Sequence, residues 1–209
     1  MTLSWLAGRG WRQALLIIFS VFAVCWAIDV LSDDPEIALE MGGTYEDLHK
    51  RSSASFSPLI RGHSWSGIPA TDARLRFIDP QYAFVTPLAR FFAVGFDDNV
   101  IRSIRMSPQV EPLLLDDALK VALDLQEQWR QGGWRVAGPR IYPPFADTPA
   151  WRTRLQDVNL DGKTYWKAGE KYQVAMYMNR FKDDKRPNEE RYLITLSIGK
   201  PWTSFDADE

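Results

Sequence analysis

Residues 88–133, LARFFAVGFDDNVIRSIRMSPQVEPLLLDDALKVALDLQEQWRQGG, hold two periodicities side by side, and the change from one to the other decides the fold class. Leu88 to Phe96 is strongly apolar and Val100 to Met106 follows it. Between them Asp97-Asp98-Asn99 are residues that tolerate turn conformations. Two such runs across so short a polar break predict a β-hairpin. Ser107-Pro108 and Pro112 end it, because proline supplies no ladder donor. From Asp116 to Gln131 the spacing lengthens to that of a helix, with Leu115, Leu119, Ala122, Leu123, Gln126 and Trp129 along one face. Asp116 or Asp117 can accept from the unpaired N–H groups of the first turn, and Gly132-Gly133 supplies the stop.

Working outward, Ala73, Leu75 and Phe77 alternate with Arg74 and Arg76, a strand pattern ended by Asp79-Pro80. Trp134 to Ile141 reads as another strand, and the stretch from Pro139 to Pro149 as an irregular loop. Thr148-Pro149 opens a short helix to about Gln156, with proline where its missing N–H is harmless. Tyr172, Val174, Met176 and Met178 alternate in a strand whose partner is Tyr192, Ile194, Leu196 and Ile198. The charged segment Lys182 to Arg191 between them reads as a solvated connection. This order predicts an α+β domain over residues 71–200, with a mostly antiparallel sheet and one main packed helix, followed by a loose tail at 201–209.

Ahead of the domain lies Trp11–Leu31, WRQALLIIFSVFAVCWAIDVL, uncharged from Ala14 to Ile28. A bilayer core of about 30 Å needs about 20 mostly apolar residues. Flanking Arg12 and Asp29 can snorkel, and Trp5, Trp11 and Trp26 suit the two interfaces. The stretch is therefore read as a transmembrane anchor. Arg9 and Arg12 precede it, while no Lys or Arg follows until Lys50. The positive-inside rule then leaves residues 1–10 in the cytosol and the body in a periplasmic or equivalent space. A cleaved signal peptide is the competing reading, since Cys25-Trp26-Ala27 puts small residues where a peptidase reads. Residues 32–70 are expected to supply a juxtamembrane helix, Asp33 to Leu48, and then a Ser/Gly/Pro-rich linker, Arg51 to Pro69.

The chain has 209 residues, 45% hydrophobic and 25% charged, with a formal charge of −2. Such a balance lacks the basic stripe that displaces counterions from nucleic acid, so that partner is set aside. The one cysteine lies in the apolar stretch, so the body has neither a disulfide nor a cysteine zinc site. Nine tryptophans are read chiefly as core filling.

Few constellations carry chemistry. Gly62-His63-Ser64-Trp65-Ser66 approaches the nucleophile elbow G-x-S-x-G, but Ser66 replaces its last glycine. Both histidines, His49 and His63, also precede Ser64, whereas that fold places its base last. Asp157-Val158-Asn159-Leu160-Asp161-Gly162 matches the opening of a calcium loop, where Asp157, Asn159 and Asp161 would turn oxygens onto one hard cation. The twelfth position, which needs a bidentate Glu, is Ala168. The alternative is an Asx-type turn. No other cofactor is indicated.

The expected function is that of a non-enzymatic binding domain, held to the bilayer by its N-terminal helix. It would recognise another envelope protein or an incoming toxin, as an immunity or inhibitor protein or as an envelope-assembly subunit. The alternative is an envelope-polymer hydrolase using a carboxylate pair, with aromatic side chains to stack on the substrate.

Overall fold

The computed structural model describes residues 34–203. Its backbone makes two sheets. The larger has seven strands in the order β2-β5-β6-β10-β9-β8-β7: β2 (Ser64–Gly67), β5 (Phe92–Asp97), β6 (Val100–Met106), β7 (Arg135–Ala137), β8 (Gly162–Ala168), β9 (Tyr172–Phe181) and β10 (Arg191–Gly199). Every neighbouring pair in it is antiparallel. The smaller sheet has the order β1-β3-β4, from β1 (Glu36–Leu39), β3 (Arg74–Phe77) and β4 (Phe84–Val85), with β1 and β3 parallel. Among the described residues three helices complete the fold: α1 (Tyr45–Arg51), α2 (Leu115–Gln131) and α3 (Pro149–Gln156). It is a mixed α+β architecture dominated by an antiparallel sheet.

The hairpin β5–β6 and the helix α2 stand where residues 88–133 place them. Asp98 takes the left-handed conformation at φ 54, and its carboxylate accepts from the amide of Gly62 at 2.8 Å. Helix α2 buries Ala118, Leu119, Ala122, Leu125, Gln126 and Trp129 against β10 and β4. Leu123 is only half-buried, so the core stripe runs through Leu125 instead. No side chain caps the helix: Leu114 is the N-cap, and Asp116 and Asp117 sit in the first turn, where they favour the dipole. Gly133, at φ +82, ends it as expected.

The main correction concerns residues 32–70. Ile37, Ala38 and Leu39 form β1 rather than part of a helix, paired in register with Leu75, Arg76 and Phe77. All three are at most 1% exposed. A strand covered on both faces loses its alternation, which is why it reads as a helical run. The helix begins later: Thr44 is the N-cap, and its Oγ1 accepts from the amide of Asp47 at 3.1 Å. The expected linker also belongs to the body. Ala54 and Phe56 enter the core, and Ser64–Gly67 is the edge strand β2. The described residues from Pro35 onward form one unit.

One face of the large sheet carries Val94, Ile104, Leu196, Met176, Trp166 and their neighbours into the core, beneath α2 and the small sheet. Trp129, Trp134 and Trp166 pack there with Phe77, Phe84 and Tyr172 at ring separations of 5.2–6.3 Å. The exposed borders of the small sheet are closed by side chains. Ser53 and Ser52 hydroxyls accept from the amides of Glu36 and Ala38 along β1. At β4 the Gln128 carboxamide accepts from Val85 N–H and donates to Val85 C=O.

Among the described residues no helix is long and apolar enough to cross a membrane. The proposed anchor, residues 11–31, lies outside the described residues, as does the tail beyond Thr203.

Candidate binding surface

The opposite face of the large sheet is largely uncovered by the described residues. By the alternation of the strands it bears Phe91, Ala93 and Gly95, then Ser103 and Arg105, then Leu193, Thr195 and Ser197, then Tyr177 and Phe181. Most of these are small or polar and half-exposed, but one end is apolar. There Phe91 is 48% exposed and Phe181 40%.

These two phenylalanines, with Val110, Pro112 and Leu193, line a groove of about 450 Å³. Its volume falls within the usual range of ligand pockets. Its walls come from two parts of the chain: the segment from Arg90 through the loop after β6, and the β9–β10 connection. Two devices hold them in place. Strand β10 pairs with β6 only from Leu196 to Ile198, and the chain leaves the sheet at Ser107 before returning at Leu113, which bridges to Tyr192. Gln109 fills the gap. Its Oε1 accepts from the amide of Ile194 at 2.8 Å, and its Nε2 donates to the carbonyls of Tyr192 and Glu111 at 3.0 Å. A side-chain amide thus replaces a backbone amide in the ladder.

Arg186 is the second device. Its guanidinium donates to the carboxylates of Glu111 and Asp183, one from each wall. Asp183 is buried and also accepts from the amide of Lys185 at 3.0 Å, so the expected solvated connection is a fixed turn on this side. The hydrogen bond and charge of Arg186 hold the Glu111 carboxyl below the usual carboxylate range. Arg90, 3.4 Å from Asp72, and Lys185 complete the rim.

Glu111 and Asp183 are therefore the acid pair in this groove. A glycoside-cleaving acid must be kept protonated, which needs a raised pKa. Glu111 is shifted the other way, and no tryptophan among the described residues lines the groove. The tryptophans expected to fill the core do so at positions 129, 134 and 166.

At the other end of the face Tyr165 and Tyr177 share a hydroxyl contact of 3.2 Å, and Tyr142 packs edge-on to Tyr165 at 4.8 Å. Burial, and then the neighbouring Tyr177, push the Tyr165 hydroxyl well above its ordinary range.

The sequence-predicted residues lie elsewhere. Asp157 is the C-cap of α3, and its Oδ1 accepts from both the backbone amide and the side-chain amide of Asn159, at 2.9 and 3.0 Å. The carbonyl of Asp161 accepts from Arg154 at 2.9 Å. These contacts describe an Asx turn, and Ala168, where a closing carboxylate would stand, is a buried strand end. Among the described residues no group of three His, Cys, Asp or Glu is placed to hold a metal. Ser64 lies on the edge strand β2 with its hydroxyl on Asp97, and His49 stacks on Tyr45 of its own helix.

Sequence reasoning passed over Gln109, Glu111 and Arg186, which assemble from positions about 75–85 residues apart. The usable signal was two phenylalanines, Phe91 and Phe181, at positions where the alternation points outward. Compared with protein-family models, curated proteins and solved structures, the chain has no match, so the functional reading rests on this geometry.

Proposed function

We propose that this chain is a membrane-anchored, extracytoplasmic binding domain that recognises another protein of the envelope, without catalysis of its own. The carrying observation is the apolar groove with its two exposed phenylalanines on an otherwise small and polar sheet face. Exposed aromatics beside a preformed pocket are the usual anchors of a protein interface. The occupant of this reading is an aliphatic or aromatic side chain of the partner, with an acidic neighbour facing Arg90 and Lys185 on the rim. The N-terminal apolar stretch and its charge asymmetry support the anchor and the extracytoplasmic placement. An immunity or assembly role is the finer form of the same reading.

The experiment is site-specific photo-cross-linking in intact membranes, with the reactive group at position 91 and a control at exposed Lys120 on α2. One stoichiometric adduct at position 91, lost on Phe181→Asp, supports the reading. Equal adducts at both positions, or none at either, overturn it. A C-terminal reporter active only in the cytosol would overturn the placement separately.

A further inference from the structure

A second groove, of about 280 Å³, lies at the far end of the strands. The turn after β1 forms one side, where Gly42 N–H donates to the carbonyl of Ile101 at 3.0 Å and Ile101 N–H to that of Gly43 at 2.9 Å. The floor is Met41, Ile101 and Tyr172. Its charged lining among the described residues consists of Arg102, Lys171 and Lys200, with no acid.

The balance behind this rim matters. Lys171 lies 3.6 Å from Asp79 and Arg102 3.4 Å from Asp97. Asp79, however, is already satisfied without its lysine. Its side chain is 2% exposed and accepts from the amides of Gln81 and Tyr82 and from the Tyr172 hydroxyl, at 2.8–2.9 Å. Lys171 is 61% exposed, so its ammonium is available outward. The Arg102–Asp97 pair is half-exposed on both sides and weakly held. Lys200 has no ion-pair partner among the described residues. Gly42, at φ +80, has nothing within 4 Å of where a Cβ would stand, so the mouth is open above it.

We propose that this groove seats an acidic segment of a partner protein, with one apolar side chain on the Met41–Ile101–Tyr172 floor and flanking carboxylates on the three cations. Charge complementarity chooses the occupant: a rim of three cations, with no acid among the described lining residues, repels basic segments and rewards acidic ones. The site is separate from the groove at Phe91, and neither needs the other.

The test uses the full chain in zwitterionic detergent. The probes are an acetylated, amidated Glu-Phe-Asp-Glu peptide and its uncharged Gln-Phe-Asn-Gln counterpart, followed by titration calorimetry and by the amide resonance of Gly42. Three exposed pairs, each worth about a factor of three, multiply to roughly thirtyfold in favour of the acidic peptide at low salt. That preference should shrink as salt rises. It should vanish in the triple variant Arg102→Ala, Lys171→Ala, Lys200→Ala, whose exposed side chains leave the core intact, and survive Phe91→Asp. Equal binding of the two peptides, retention by the triple variant, or loss on Phe91→Asp would each overturn the proposal. So would free succinate binding as tightly as the acidic peptide, since the groove would then be a site for small anions.

Discussion

Gln109 is the residue on which the sheet and the Phe91 groove both depend, and replacing it by methionine tests that dependence. The substitution keeps length and burial but removes the carboxamide. Ile194 is fully buried, and its N–H has Gln109 Oε1 as acceptor at 2.8 Å. Leaving a buried donor unpaired costs about 1–3 kcal/mol. The carbonyl of Tyr192 keeps its bond from Leu113 N–H, so its loss is small. The carbonyl of Glu111 loses a partly buried bond worth about 0.5–1.5 kcal/mol. Gln109→Met should therefore destabilise by about 2–4 kcal/mol, a large part of the 5–15 kcal/mol typical of a folded domain. Urea unfolding followed by tryptophan fluorescence measures it, since Trp129, Trp134 and Trp166 report from the core. Gln109→Glu sharpens the test. Its carboxylate still accepts from Ile194 but faces two carbonyls, so burial and those carbonyls raise its folded-state pKa. The penalty is present while the group is ionised and fades as pH falls below that raised value. A loss under about 0.5 kcal/mol in Gln109→Met, or a pH-independent loss in Gln109→Glu, would refute the claim that this amide stands in for backbone.

Other outcomes follow from the same contacts. The Tyr172 hydroxyl, pushed up to about 12 from 10.0 by burial and by its bond to Asp79, contributes stability that is complete below pH 10 and lost as pH rises toward 12. Tyr172→Phe should lower stability by about 1–3 kcal/mol at neutral pH and flatten the alkaline limb of a denaturation series; an unchanged limb would count against the bond. Arg186→Ala should return the Glu111 carboxyl to the ordinary range. Because the wild-type value is depressed, the contribution of that pair is present above the ordinary range and lost as pH falls through the lowered value, so the two proteins should converge in acid. Carboxyl-carbon resonances read this, and an unshifted Glu111 would dismiss the clamp. Asp157→Ala should cost about 0.5–1 kcal/mol through the lost Asx turn, equally with and without millimolar calcium; a cost that appears only with calcium would restore the cation reading. In Gly162→Ala the new Cβ would stand 2.5 Å from Leu155 Cδ2 and 2.8 Å from the carbonyl of Met178, so a loss of about 1–3 kcal/mol is expected by thermal melting.

What was legible in the sequence was whatever one covered face imposes. Strands β5 and β10 bury alternate residues, and β9 keeps Val174, Met176 and Met178 on its core face although Gln173 and Ala175 are buried as well, so period two survives in the chain. Strand β1 is buried on both sides, and Asp34-Pro35-Glu36 imitates a helix start, so the same logic misreads it. Strand β2, Ser-Trp-Ser-Gly, sits at an edge with little apolar pattern at all. The groove was hidden for another reason. Its walls meet only because a glutamine replaces a ladder amide and an arginine joins two acids, and neither contact leaves a spacing in the sequence. The calcium pattern was visible because it is local, and its local geometry is that of a turn.

The serine and glutamine side chains along β1 and β4 have a consequence for life at high density. If the chain is tethered to lipid as proposed, its copies would meet far more often than in bulk, and a ragged row of open amides would let neighbours zip together into fibres. Here those amides are already engaged by hydroxyls and a carboxamide of the same molecule. Two copies meeting along β1 or β4 would have to break internal bonds before making external ones, which favours brief encounters over polymerisation at those borders.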